Sequence, residues 1–234
     1  MYARFFKRFF DIILSFLAIS VLSPILLLLI VIGAIAMRGN PFFCQPRPTK
    51  KGKDGRERIF KLIKFRTMTN ERDADGNLLP DGERLIPYGR FLRSTSLDEL
   101  PELLNILVGD MSIVGPRPQL VRDMTFMTDE QRERHTVRGG LTGLAQVSGR
   151  NNVTWEQKLE YDLEYVRGGI TLWGDIKIIL RTVGKVLKRS DTVREGTQSD
   201  IDFGDWLMQE GRIDKITYDE KQEKAKEMLE LCKM

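Results

Sequence analysis

Phe9–Met37, FFDIILSFLAISVLSPILLLLIVIGAIAM, is the longest apolar stretch of the chain, and the architecture follows from how it is read. From Ile12 to Met37 no residue carries a charge, and Ser23-Pro24 lies near the midpoint. A straight helix over that span would be about 39 Å long, against a bilayer hydrocarbon core of about 30 Å. Pro24 argues against a simple straight span, because it has no N–H for the carbonyl of Ser20 and its ring clashes with that carbonyl. In lipid the freed carbonyl must be satisfied locally, and the hydroxyls of Ser20 and Ser23 are the nearest donors. Arg4, Lys7 and Arg8 precede the stretch, and Arg38, Arg47, Lys50, Lys51 and Lys53 follow it. Positive charge stays cytoplasmic, so both flanks carry the cytoplasmic signature. A re-entrant helix–break–helix, turning at Ser23-Pro24 and leaving on the side it entered, accounts for this. A kinked full span and a signal peptide cleaved near Ala34-Ile35-Ala36 are the alternatives. The apolar region is about twice an ordinary signal h-region, and basic residues follow it closely.

Of the 234 residues, residues 1–40 form the membrane element and 41–190 a cytoplasmic domain. Residues 191–234 are an acidic extension. It carries 7 Lys/Arg and 12 Asp/Glu, a net of −5, which leaves +9 on the remainder. A basic body beside a membrane insert suits anionic headgroups or phosphorylated substrates. No groove-reading motif or aromatic-interleaved basic strip points to nucleic acid. Cys44 and Cys232 are the only cysteines, which excludes a disulfide framework and a thiolate metal site. The single histidine, His135, falls in the charged run DEQRERH and reads as a solvated helix face.

Along the chain, Pro41, Pro46 and Pro48 make a stiff non-helical exit from the membrane. Arg56–Met68 reads as a strand or hairpin partner, with Lys64 either on its solvent side or facing a phosphate. Residues 70–84 read as a polar loop or flap. In YGRFLRSTSLDELPELLNIL (Tyr88–Leu107), Ser96 and Glu99 have capping-box spacing, while Pro101 favours Asp98 as the cap. Either way Asp98 and Glu99 sit at a helix N-terminus near Arg90 and Arg93, where a charged carboxylate is stabilised. That suits a nucleophile or metal ligand, and it equally suits an ordinary cap. Arg117, between Pro116 and Pro118, is presented on a rigid turn for bidentate binding of phosphate or carboxylate, or for a structural salt bridge. Residues 139–151, GGLTGLAQVSGRN, carry four glycines for a close backbone approach, without the spacing of a dinucleotide fingerprint or a P-loop. Gln146, Arg150 and Asn151 are the polar candidates there. Thr154 and Gln157 open a helix. Asp175–Lys188 is a basic amphipathic helix that either lies on a membrane surface or docks on the core.

Four segments resemble one family together: KFRTM (Lys64–Met68), RSTSLDELPELLNIL (Arg93–Leu107), VGDMSIVGPRP (Val108–Pro118) and GLTGLAQVSGRN (Gly140–Asn151). Their order is that of the bacterial sugar transferases, the monotopic phosphoglycosyl transferases. The resemblance runs from about Phe5 to Lys188. It implies an α+β, mostly helical, monotopic membrane protein with the N-terminal re-entrant helix, surface amphipathic helices and a small β element. It also implies a phosphotransferase moving sugar 1-phosphate from a UDP-sugar to undecaprenyl phosphate, with Mg²⁺, release of UMP and a covalent aspartyl-phosphosugar. Asp98 is then the nucleophile, and Glu99 its partner and fellow metal ligand. Arg93, Arg117 and Lys64 hold phosphate, and Gln146, Arg150 and Asn151 serve the nucleotide end. Ser23-Pro24 is the membrane break. The expected setting is the cytoplasmic face of the bacterial inner membrane, among its lipids, with both termini cytoplasmic and a homo-oligomer left open. A membrane-anchored lipid-binding or regulatory protein and a membrane-tethered phosphohydrolase are the rival readings. Neither the sugar nor the glycan pathway can be read from the residues.

Overall fold

The computed structural model describes residues 2–149, 153–188 and 201–231, and it is mostly helical with two small sheets. Helix α1 (Lys7–Ala36) is one helix long and apolar enough to cross a membrane by length and composition. It runs through Pro24 without interruption, so the expected break at Ser23-Pro24 is not a non-helical segment. The bond that proline removes is replaced locally. Ser23 Oγ donates to the Ser20 carbonyl at 2.8 Å, and Ser20 Oγ donates to Phe16 O at 2.9 Å. This is the compensation a proline inside an apolar helix requires.

One stripe of α1 is buried, at Asp11, Ser15, Leu29 and Gly33, and the same domain holds both of its ends. At the first end, Asp11 accepts from Ser112 Oγ at 2.7 Å and from the Ile113 N–H at 2.9 Å. Arg8 donates to the carbonyls of Ile106 and Leu107. At the other end, Tyr88 Oη donates to Leu29 O at 2.9 Å, and Leu29 packs with Phe65 and Leu92. A side chain at Gly33 would meet that tyrosine hydroxyl at 2.8 Å and Pro41 at 3.0 Å. The opposite faces leave Phe16, Leu17, Val21, Leu28, Val31 and Ile35 exposed.

The expected stiff exit is a strand. β1 (Phe42–Lys51) pairs antiparallel with β2 (Glu57–Phe65), Phe42 opposite Phe65, with a register shift between Pro48 and Lys51. Pro46 and Pro48 are two apart and so share one edge of this two-stranded ladder, where a missing N–H costs nothing. Residues 70–84 hold one isolated bridge, Arg72 to Leu78, and the single turn α2 (Asp81–Arg84), and a second bridge, Met68 to Leu85, closes the segment at its base. Helix α3 (Pro87–Thr95) ends at Ser96 in the left-handed region, φ +56°. A 3₁₀ turn (Leu97–Glu99) follows, then α4 (Glu102–Val108) behind Pro101. The capping-box expectation is therefore corrected. Ser96 closes α3, Pro101 is the N-cap of α4, and neither helix start has a side-chain cap.

β3 (Met111–Val114) and β4 (Gly139–Thr142) pair in parallel. The glycines of this region serve an approach of backbone to backbone: a Cβ on Gly140 would lie 2.1 Å from Gly115 N. Helices α5 (Val121–Phe126), α6 (Leu144–Ser148), α7 (Trp155–Arg167) and α8 (Leu172–Lys188) complete the body. Thr154 caps α7 through the expected box with Gln157. α8 answers both readings of its amphipathic pattern. Ile178 and Ile179 pack against Val114, Val147 and Tyr165, while Trp173, Leu180 and Val183 stay exposed.

Two expectations are overturned by packing. The extension after residue 190 is not an appendage over its described part. α9 (Phe203–Gln209) buries Phe203 and Leu207 among Met127, Trp155 and Leu159. α10 (Lys215–Leu231) buries Ala225 against Val121 and Met124. His135 is not on a solvated face either. It is buried in a 3₁₀ turn (Gln131–Thr136), with Nδ1 3.3 Å from Glu57 Oε1. Two charges of its run pair inward, Arg132 with Glu57 and Arg134 with Asp162.

Burial, only partly offset by Glu57, brings the His135 imidazole down to about 4. The unfolded chain then binds the extra proton between about pH 6.5 and 4, so stability rises with pH across that window and is lost as pH falls through it. The loss should be on the order of 3 kcal/mol. We expect acidification over that range to cost wild type more than His135→Gln, read as the difference between their thermal midpoints in detergent at each pH. Equal losses in the two proteins would refute this origin.

Candidate active site

A cleft of about 740 Å³ opens between the β1–β2 hairpin, the 3₁₀ turn, the Gly-Pro-Arg-Pro turn and the start of α9. Two carboxylates and three cations from distant parts of the chain line it, and a third, buried carboxylate pairs with one of those cations. Asp98 and Glu99 come from the 3₁₀ turn, and Glu102 opens α4. Lys64 comes from the end of β2, Arg93 from the last turn of α3, and Arg117 from between its two prolines.

Glu99 is the fixed point. Its Oε1 accepts from Lys64 Nζ at 2.9 Å and from Arg117 Nη2. Burial works to raise the carboxyl, but Arg117 and then Lys64 outweigh it and hold Glu99 well below the usual carboxylate range. Arg117 is in turn held fully protonated, chiefly by Glu99. Lys64 also pairs with Glu102 Oε1 at 3.2 Å. Burial, then the Glu99 charge, pushes Glu102 up to about 7. Sequence reading missed Glu102. The signal was its i, i+3 spacing from Glu99 in LDELPE, which puts the two on neighbouring turns.

Asp98 differs in kind. Among the described residues it makes no hydrogen bond or ion pair, and it lines the cleft. Burial and then the charge of Glu99 raise its carboxyl, opposed by Lys64, Arg117 and Arg93. Two adjacent carboxylates with environments that push them apart have different tasks. Glu99 is an anchored charge, whereas the Asp98 carboxylate has no partner among the described residues. A more basic carboxylate is also the stronger nucleophile while it stays ionised.

Arg93 donates from Nε to Thr67 Oγ1 at 3.1 Å, which leaves its Nη groups toward the cleft it lines. Gln146 lines the same cleft; its Nε2 donates to Leu141 O at 3.3 Å, and its buried Oε1 has no partner among the described residues. Arg150 and Asn151 lie outside the described residues. Arg47, also unforeseen, lines the cleft and donates to Pro118 O and Gln45 Oε1. Burial, then Arg117, brings it down to about 10. Its signal in the sequence was only a basic residue between two prolines, which reads as linker.

A metal was expected on Asp98 and Glu99. Among the described residues no three His, Cys, Asp or Glu side chains form a metal-holding group. Mg²⁺ is commonly held by one or two carboxylates, water and substrate phosphates, and the unengaged Asp98 oxygens beside Glu99 fit that mode.

The family model "Bacterial sugar transferase" matches residues 2–189. The chain is 45% identical over 192 residues to the "Uncharacterized sugar transferase EpsL" of Bacillus subtilis (strain 168), covering 82% of this chain and 90% of that one. It is 40% identical over 190 residues to the "UDP-glucose:undecaprenyl-phosphate glucose-1-phosphate transferase" of Klebsiella pneumoniae, covering 77% of this chain and 40% of the relative. It is 36% identical over 205 residues to the "Undecaprenyl-phosphate galactose phosphotransferase" of Salmonella typhimurium, covering 80% and 41%. The chain thus spans about four-tenths of these two longer relatives.

Arg117 is buttressed from behind. Arg134 Nη2 donates to the Arg117 carbonyl at 2.7 Å and to Asp162 Oδ2 at 2.6 Å, with the Arg134 and Asp162 side chains both buried. Breaking such a pair on one side leaves a naked buried charge. Asp162→Leu should therefore cost about 3–5 kcal/mol, with much of it recovered in Arg134→Met/Asp162→Leu. Chemical denaturation checks this. A double variant no more stable than the single one would refute the account.

Proposed function

The chain belongs to the bacterial sugar transferases, and on that premise we propose that it transfers sugar 1-phosphate from a UDP-sugar to undecaprenyl phosphate. UMP and undecaprenyl-diphosphate-sugar are the products. The observation that carries the reading is the unengaged Asp98 carboxylate, set in a cleft beside Lys64, Arg93 and Arg117 and next to a Glu99 already neutralised by two of them.

The reaction divides into two displacements at one phosphorus. An Asp98 oxygen attacks the β-phosphorus of the donor. The bond to the bridging oxygen breaks, and UMP leaves with the electron pair. A phosphate oxygen of undecaprenyl phosphate then attacks the same phosphorus and expels the Asp98 carboxylate. Arg117 and Arg93 neutralise charge on the equatorial oxygens, with Lys64 auxiliary to them, and the planar fork of arginine suits that task. Glu99 positions Lys64 and Arg117, and Gln146 with Arg150 and Asn151 serves the nucleotide end. Mg²⁺, held by Asp98, Glu99 and the diphosphate, would supply further neutralisation of phosphate charge.

The acceptor resides in lipid, so the cleft must sit at a membrane face. Supporting a monotopic placement, α1 is held by one domain from Arg8 to Gly33, sites about 37 Å apart along a straight helix. A straight transbilayer span would put those two sites on opposite sides of the membrane, beyond the reach of one cytoplasmic domain. The exposed Trp173, Leu180 and Val183 of α8 suit the interface. The enzyme would then act at the cytoplasmic face of the bacterial inner membrane, in glycoconjugate synthesis.

We expect Asp98→Asn to abolish UMP release, and wild type given UDP-sugar alone to gain one sugar-phosphate mass on Asp98. Normal turnover by the variant, or free sugar phosphate as the product without acceptor, would overturn the mechanism. Arg117→Lys should lower kcat by about 10²-fold or more with little change in donor affinity, and comparable losses in both would count against a transition-state role. Tags ahead of Tyr2 and after Met234 should both report the cytoplasm, whereas Pro24→Ala should shift molecules toward a full span. Opposite sides in wild type would sink the monotopic placement.

A further inference from the structure

The matched family segment ends at residue 189, yet the cleft does not. Asp202 contributes to its wall, together with Arg47, Arg122 and Asp162. Asp202 is the N-cap of α9, but its side chain makes no capping hydrogen bond. It instead pairs with Arg122 of α5, and 21% of the Asp202 side chain and 46% of the Arg122 side chain stay exposed. The segment that brings it there is firmly seated. Trp155 Nε1 donates to Ile201 O at 2.8 Å, and the Phe203 N–H donates to the buried Asp123 at 2.9 Å. The Phe203 ring packs on Trp155 and on Trp206.

The same wall holds polar atoms with no protein partner among the described residues, Asp162 Oδ1 and Arg47 Nε, both buried. A carboxylate paired with a guanidinium offers an acceptor and donors side by side, which is the complement of a hydroxyl-bearing ring. Net-neutral as a pair, it has no attraction for a diphosphate, unlike the Lys64–Arg93–Arg117 floor. It therefore faces an uncharged part of a sugar nucleotide, the nucleoside or the sugar. The two relatives share undecaprenyl phosphate in their names but differ in the sugar, glucose in one and galactose in the other. A wall built from outside the matched segment is suited to the part that varies.

We propose, on the reading of this cleft as the sugar-nucleotide site, that Asp202 completes its wall from outside the matched segment and that the Asp202–Arg122 pair is a specificity-determining contact to the sugar ring of the donor.

The test uses the full-length protein with undecaprenyl phosphate, reading UMP release from UDP-glucose, UDP-galactose and UDP-N-acetylglucosamine. For Asp202→Asn we expect kcat/KM for the preferred donor to fall about tenfold or more, mainly through KM, with an altered ranking of the three sugars. Inhibition by UMP should stay within about twofold of wild type, because UMP lacks the sugar. Arg122→Gln, which leaves the buried contacts of 201–231 in place, should alter the ranking as well. An equal loss on all three sugars with a lowered thermal midpoint would mean a purely structural pair and overturn the proposal. Loss of UMP affinity would move the pair to the nucleoside and overturn it too, as would unchanged kinetics in both variants. A wild type that releases UMP from no UDP-sugar would instead remove the transferase reading, and this contact with it.

Discussion

Glu99 between Lys64 and Arg117 joins three segments that are far apart in the chain: the end of β2, the 3₁₀ turn ahead of α4, and the Gly-Pro-Arg-Pro turn. A buried carboxylate is costly unless paired, and the two cations would repel one another without it. Their mutual satisfaction makes the base of the cleft a fixed, net-positive platform. On that platform Asp98 is the one carboxylate left without a partner among the described residues. The difference between two adjacent acids thus comes from what each one touches.

Much of the remaining architecture serves to hold that platform. Asn105 of α4 accepts from Ile63 N and donates to Lys61 O, which sets α4 against the strand that carries Lys64. Arg134 and Asp162 steady the Arg117 carbonyl. The glycines at 115 and 140 let β4 approach the proline-bounded turn so closely that no side chain fits between them. α1 belongs to the same frame, since Asp11 takes the Ser112 hydroxyl and the Ile113 N–H at β3. The cleft and the long apolar helix therefore share one core, which suits the proposed transfer from a soluble donor to a lipid-borne acceptor.

Local signals in the chain were read well where the cause was local. The Thr154–Gln157 box, the long apolar helix and the amphipathic α8 each follow from neighbours within a turn or two. Lys64, Arg93, Asp98, Glu99, Arg117 and Gln146 were picked out as residue types on stiff or glycine-rich backbone, and the structure gathers all six around one cleft. The reading of Ser96 or Asp98 as a helix cap failed because Pro101 restarts the helix after a left-handed residue, so the carboxylates stand in a turn of their own. His135 was misjudged because the partner that buries it, Glu57, is 78 residues away.

The sequence by itself determined the apolar helix with its compensated proline, the basic body, the family and the set of charged residues available for chemistry. Each of these is written in composition, short spacing or ordered motifs. Which charge cancels which was settled by tertiary contacts: Glu99 is neutralised while Asp98 has no partner among the described residues, Glu102 pairs with Lys64, and Asp202 of the acidic extension reaches the cleft wall. Those outcomes depend on side chains meeting across tens of residues in a poorly hydrated interior, where a partner's presence or absence sets the state of every charge.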